Sequence, residues 1–163
     1  MLIRPATDRD LDEILAIHNT AVRESLAIWT ETEETRDDRA AWLAAHEEAG
    51  EPVLIADVDG RVAGYATYGR FRPKMGYRYS VENSVYVHGD FQRQGIGRLL
   101  MVQLIAEARA AGIHVMIAGI EAGNAASIAL HRQLGFEEPL ILREAGTKFG
   151  RWLDLAFMRL PLD

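Results

Sequence analysis

The chain predicts an α/β domain: one mixed sheet with helices on both faces. Three observations predict it. Segments of strand period and of helix period alternate along the whole length, in the order β-α-α-β-β-β-α-β-α-β-β. A tight-turn pair, Asp59-Gly60, joins two apolar strands and requires an antiparallel hairpin. A later segment, "HVMIAGIE", is apolar on both faces, as a covered central strand should be. No linker, repeat or low-complexity tract interrupts the series, so residues 1–163 are expected to form one domain.

The elements follow in order. "LIRPA" is a short first strand. Thr7 then caps a helix whose apolar positions are Leu11, Ile14, Leu15 and Val22, near helical spacing. "TRDDRAAWLAAHEEAG" is a second helix, with Thr35 as its cap and Gly50 as its stop. "PVLIADVDGRVAGYATYG" is the hairpin, and Asp59-Gly60 supplies the positive φ angles of its turn. "YSVENSVYV" is a strand with Val81, Val85 and Val87 on one face and Ser80, Glu82, Ser84 and Tyr86 on the other. A glycine loop comes next. Its helix carries Leu100, Met101, Leu104, Ile105 and Ala108 as one apolar stripe and ends at Gly112. After "HVMIAGIE", the segment "NAASIALHRQLG" is a short helix with Asn124 near its start and Gly135 as its stop. Two strands close the chain, around "PLILREA" and "RWLDLAFMRL".

Composition excludes whole classes of function. There is no cysteine, so disulfides, thiolate–zinc sites and a cysteine nucleophile are ruled out, and a reducing cytoplasm suits the chain. The N-terminus has no apolar stretch of signal-peptide length, and no apolar run reaches the roughly 20 residues that span a bilayer. The net charge of -6 argues against broad nucleic-acid binding, which needs a basic stripe. His18, His46, His88 and His114 show no ligand spacing with one another or with paired carboxylates, so no metal is expected.

The loop "DFQRQGIGR" carries the first functional signal. A dinucleotide fingerprint would continue to a third glycine, but Leu100 stands there. A P-loop would continue Gly-Lys-Ser/Thr, but Arg98-Leu99 follow Gly97. The physics survives both exclusions. Gly95 and Gly97 let backbone approach a ligand without an intervening Cβ, and the first N–H groups of the following helix suit phosphate. Gln92, Arg93, Gln94 and Arg98 add donors. The alternative is a plain strand-to-helix turn with solvated charges.

"FQRQGIGRLLMVQLIAEARAAG" resembles the acyl-coenzyme A pyrophosphate loop, Gln/Arg-x-x-Gly-x-Gly/Ala, of the GNAT superfamily of N-acetyltransferases. "NAASIALHRQLGF" resembles the second motif of that superfamily, at the right distance, and the element order matches from Leu2 to Leu160. Within the superfamily, "VENSVYV", "HRQLGF" and "GTKFGRWLDLAFMRL" are similar to the phosphinothricin and methionine-sulfoximine N-acetyltransferases. The resemblance implies a GNAT fold and an acetyl-coenzyme A co-substrate. It implies transfer to the α-amine of a small amino acid or analogue, of phosphinothricin, methionine sulfoximine or methionine sulfone type. It also implies a homodimer, with the late loop and the last strands near its interface. Two alternatives stay open: acetylation of a polyamine or a protein N-terminus, and a non-catalytic acyl-coenzyme A-binding module.

Acyl transfer to an amine needs a base for the ammonium, donors for the developing oxyanion, and a hold on the departing thiolate. Glu82 is the candidate base: a strand carboxylate is costly unless exposed, paired or functional, and it matches the glutamate of the resembled group. By the same resemblance, the backbone of Val85, Tyr86 and Val87 pairs with the pantetheine arm, while their side chains join the core. The cofactor set is then Val85, Tyr86, Val87, Gln92, Arg93, Gln94, Gly95, Ile96, Gly97, Arg98, Asn124 and Ser127. Asn124 is a helix cap, a pantetheine contact, or both. His131 stands where most members place a tyrosine that protonates the thiolate, and it is either that acid or a structural histidine. Arg72, Lys74, Tyr77 and Arg78, with Lys148 and Arg151 later, are either surface charge or, together with Glu82, the grip on the amino acid's carboxylate and side-chain head. Trp29 and Phe71 are pocket walls or core.

Overall fold

The structure is a computed structural model describing residues 1–163. Its elements are β1 (Leu2–Pro5), α1 (Leu11–Glu24), α2 (Arg36–Ala49), β2 (Val53–Val58), β3 (Arg61–Arg70), β4 (Ser80–Val87), α3 (Ile96–Ala110), β5 (Val115–Glu121), α4 (Ala125–Gln133), β6 (Leu140–Lys148) and β7 (Arg151–Pro161), with three single 3₁₀ turns between them. The order is the expected one. The strands form one seven-stranded sheet, β1-β2-β3-β4-β5-β7-β6, in which only β4 and β5 run parallel. No helix is long and apolar enough to cross a membrane.

Local chemistry fixes most boundaries. Thr35 Oγ accepts the Asp38 N–H at 3.2 Å and the Asp38 carboxylate accepts the Thr35 N–H at 2.7 Å, a reciprocal cap that starts α2. Gly50, at φ 67°, ends it. Asp59 and Gly60 take φ of 52° and 84°, the paired positive values of a two-residue hairpin turn. The cap expected at Thr7 is displaced. Thr7 opens a 3₁₀ turn at Asp8–Asp10, and α1 begins only at Leu11. There Asp10, buried and paired with Arg4 at 2.9 Å, accepts the Thr7 N–H at 2.8 Å.

Helices cover both faces. On one, Leu100, Met101, Leu104, Ile105 and Ala108 of α3 are all buried against Ala63, Ala66, Val81, Met116 and Ala118 of the sheet. On the other, Leu11, Ile14 and Ile17 of α1 and Leu43 of α2 pack on Ile55, Val62 and Tyr65. Leu15, expected in this stripe, is only half-buried, and Ile17 takes the inner position. β5, expected to be covered on both faces, is covered on one only. Met116, Ala118 and Ile120 are buried, but Gly119 is exposed and Val115, Ile117 and Glu121 are half-buried. The α1–α2 layer ends before β5, so the second face of that strand opens onto cavities.

Candidate active site

β4 and β5 pair only from Ser80↔Val115 to Asn83↔Ala118. Beyond that point β5 stays with β7 and β4 stays with β3, so the parallel strands part. Ser84–Val87 therefore keep one strand edge without a strand partner. A cavity of about 280 Å³ fills the fork. Its walls are Glu82–Tyr86 of β4, Ala118–Glu121 of β5, and Asn124, Ser127 and His131, with Ala27, Ile28 and Trp29 from the segment between α1 and α2. A second cavity, about 590 Å³, shares Ala27, Val85, Tyr86 and Asn124 with the first and runs between α1 and Val87–Gln92 to the glycine loop.

Glu82 stands on the fork wall with its side chain 38% exposed. The space for its carboxylate exists because residue 119 is glycine: a Cβ there would lie 2.9 Å from Glu82 Oε1. Burial raises the carboxyl above its ordinary pKa, and Arg72, whose Nη1 is 4.0 Å from Oε2, partly offsets this. A carboxylate so raised is a better proton acceptor near neutrality than a solvated one. The neighbours Val81 and Asn83 point to the opposite face, as the strand period requires.

His131 is buried, and both its ring nitrogens are occupied. Nδ1 lies 2.8 Å from the Ser127 carbonyl, which can only accept, so Nδ1 carries the proton. Nε2 is then an acceptor, and the Asn83 amide donates to it at 3.0 Å. Burial lowers the ring's pKa, in keeping with this neutral form. A neutral imidazole in this arrangement has no free N–H for a thiolate. Asn124 caps α4, its Oδ1 accepting the Ser127 N–H at 3.1 Å, and it lines both cavities.

The loop before α3 turns its backbone outward. Arg93 and Gly95 adopt φ of 59° and 80°, and Gly95 starts α3 with no side-chain cap and no acidic residue in the first turn. Unpaired N–H groups at such a start favour an anion. Gln92, Arg93, Gln94 and Arg98 are exposed around it, and Gln94 Nε2 donates to the Asp90 carbonyl at 3.1 Å. Ile96 puts its side chain in the core, leaving only its backbone for a ligand. Gly97 sits beside Leu130, Val87 and Val85, where a Cβ would meet them at ordinary contact distances. The set fits a diphosphate.

Of the expected acceptor set, the structure brings Arg72 alone to Glu82. Arg72 is steadied by its bond to the Phe71 carbonyl at 2.7 Å and by stacking on the Phe71 ring. Tyr77 packs edge-on against Phe71, one layer away. Arg78 turns to Tyr79 and to the Met75 carbonyl, and Lys74 precedes a 3₁₀ turn in solvent. Trp29 walls the fork cavity; Phe71 instead lines a separate recess with Phe157. Lys148 is not surface charge: it is buried and donates to the Ser25 and Ile28 carbonyls. Arg151 lines another recess, with Arg143 and Trp152. Asn83, Gly119, Ala27 and Ile28 escaped the sequence reading. Asn83 alone had a signal, an amide among inward-facing valines.

A fork between parallel strands, walled by a carboxylate and opening on an anion-accepting helix start, defines a group-transfer cleft. Residues 14–136 match the Acetyltransferase (GNAT) family, and the chain belongs to that family of acetyltransferases. It is similar to the L-methionine sulfoximine/L-methionine sulfone acetyltransferase of Pseudomonas paraeruginosa, 53% identical over 99% of this chain and 94% of the relative. Among solved structures, an acetyltransferase of Salmonella typhimurium with its cofactor acetyl-CoA is 50% identical with a TM-score of 0.98, covering 100% of this chain and 94% of that one. A ribosomal-protein-alanine N-acetyltransferase of Brucella melitensis is 56% identical with a TM-score of 0.98, covering 99% of this chain and 100% of that one.

Proposed function

We propose that the protein transfers the acetyl group of acetyl-coenzyme A to the α-amine of a small amino acid with a compact oxidised side-chain head, of the methionine sulfoximine, methionine sulfone or phosphinothricin type. The observation that carries this reading is Glu82: a half-buried carboxylate facing Arg72 at a strand fork. The residues fit the co-substrate. Backbone N–H groups at Gly95–Gly97, with Gln92, Arg93, Gln94 and Arg98, would hold its diphosphate. The free edge of Val85, Tyr86 and Val87 would hold its pantetheine arm, with Asn124 and Ser127 on the opposite wall. Bound there, acetyl-coenzyme A supplies an activated acyl carbon.

The chain's own part is to bind, orient and move one proton. Glu82 takes it from the acceptor's ammonium, directly or through a water, since a free ammonium has a pKa of about 10. Arg72 pairs with the acceptor carboxylate. Lys74, Tyr77 and Arg78 belong to the same segment and add positive charge at its rim. His131 acts as a neutral post that ties α4 to β4 through Asn83. The scheme uses no metal.

The test is a thiol-release assay with acetyl-coenzyme A and a panel of amines. Turnover of methionine sulfoximine, methionine sulfone or phosphinothricin supports the reading. Turnover only with a peptide bearing N-terminal alanine supports the second reading, which the name of the Brucella melitensis relative favours.

We also infer one domain over 1–163, a cytoplasmic setting and a homodimer. A chain without cysteine needs no oxidising compartment. Leu140, Ile141 and Leu142 lie exposed on the edge strand β6, and such an edge calls for a cover. Sedimentation at micromolar concentration tests the dimer, and a monomer would remove it.

A further inference from the structure

The roof of the fork cavity has no core of its own. Residues 25–34 run from α1 toward α2 without helix or strand, and none of them is buried. Ala27, Ile28 and Trp29 nevertheless line the cavity that holds Glu82. A segment that buries so little is free to open unless something else fixes it.

Two residues at the end of β6 fix it. Lys148 is 2% exposed. Its ammonium donates to the Ser25 carbonyl at 2.7 Å and to the Ile28 carbonyl at 2.6 Å, bracketing the start of the segment. No carboxylate forms an ion pair with it, although Glu31 of the same segment favours its charge. Burying an ammonium against carbonyls alone is expensive, and burial lowers this lysine's pKa accordingly. A lysine beside a hairpin turn ordinarily extends into solvent, so the cost goes into placing those two carbonyls.

Gly146 makes the second contact. A Cβ there would overlap Cε3 and Cζ3 of Trp29, so the indole lies directly on the β6 backbone. Trp29 Nε1 also donates to the Leu26 carbonyl at 2.9 Å, which ties the ring to its own segment. The far end is held separately: Asn19 exchanges two hydrogen bonds of 2.9 Å with the Glu34 main chain.

We propose that Lys148 and Gly146 are positioning residues for the acceptor: they clamp residues 25–34 over the fork cavity, and Trp29, held by that clamp, sets the depth of the amino-acid pocket. The proposal rests on the acceptor reading above for its substrate. The clamp itself is physical and separately measurable.

Lys148→Met tests it. The variant leaves no buried charge, and water reaches the two freed carbonyls from the open side of the segment, so the sheet is expected to hold. Amide exchange across 25–34 should speed up by about tenfold or more, with the rest of the chain unchanged. The KM for the amine should rise roughly tenfold and the KM for acetyl-coenzyme A by clearly less, since Ser25 and Ala27 touch only the edge of its cavity, while kcat stays within about twofold. Lys148→Arg should not rescue, because the larger planar guanidinium does not fit the lysine's buried place. Gly146→Ala should push the indole by about 1 Å and cut kcat/KM by up to ~10²-fold, most for the bulkiest acceptors. Unchanged exchange in 25–34 for Lys148→Met would overturn the clamp, as would equal rises in both KM values. If the wild-type protein acetylates no amino acid in the panel, the acceptor reading fails, and the exchange experiment still decides the clamp.

Discussion

Replacing Glu82 by glutamine should move catalysis and stability in opposite directions. The side chain keeps its shape and its place beside Gly119, where a Cβ would have come within 2.9 Å. Only the charge goes. A positioned proton acceptor contributes about 10²–10⁴ in rate, which at ~1.4 kcal/mol per decade is roughly 3–5 kcal/mol of barrier. The expected kcat at neutral pH is lower by that factor, and raising the pH should restore part of it as more amine arrives neutral. Stability follows from linkage. Burial raises the folded-state pKa of Glu82 above its unfolded value. Its ionised form is therefore the disfavoured one in the fold. That cost is absent below the unfolded pKa of about 4.3 and complete above the folded value, so it is present at pH 7. Glutamine removes it. Because the side chain is 38% exposed, solvent screening holds the gain to a few tenths of a kcal/mol. Thiol-release kinetics across pH, calorimetry with acetyl-coenzyme A and denaturant unfolding at pH 7 measure the three quantities. Acetyl-coenzyme A affinity should not change. A variant with near-normal kcat at neutral pH would refute the assignment of Glu82 as base.

Three further outcomes are expected. Gly97→Glu puts a carboxylate on the wall shared with Val87 and beside the anion-accepting helix start, so calorimetry should show acetyl-coenzyme A binding abolished while the melting temperature changes little. Leu104→Ala empties the centre of the α3 stripe, where Leu104 has no exposed surface, and should cost about 2–5 kcal/mol by denaturant midpoint. His18, His46 and His131 all have folded pKa values lowered mainly by burial, so their neutral forms are the stable ones. Their contribution to stability should be level above pH ~6.5 and fall as pH drops below it. His131→Gln cannot take up that proton and should lessen the slope, and any loss of kcat should be independent of pH if His131 only positions Asn83.

Local rules in the sequence were enough to define the order of the elements and most of their ends, the start of α1 excepted. The Asp59-Gly60 turn, the Thr35 cap with its Gly50 stop and the α3 stripe are short-range matters of φ angle, orphaned N–H groups and side-chain period. The backbone form of the glycine loop was legible for the same reason, because it is set by consecutive residues. So was the facing of Glu82, which sits on the polar face of an alternating strand. Long-range placement was not legible. Lys148 lies 123 residues from Ser25 in the chain, and no local pattern tells a clamp from a surface cation. Arg72, Lys74, Tyr77 and Arg78 looked equivalent in sequence, yet only Arg72 reaches Glu82, because Phe71 supports its guanidinium while Arg78 is drawn to Tyr79. The protonation form of His131 needed the Ser127 carbonyl one helical turn back and the Asn83 amide on another strand. The sequence by itself determined which residues have the right chemistry and which way each faces along its own element. The tertiary structure decided which of them meet, since parting β4 from β5 and laying residues 25–34 across the gap depend on contacts between segments distant in the chain.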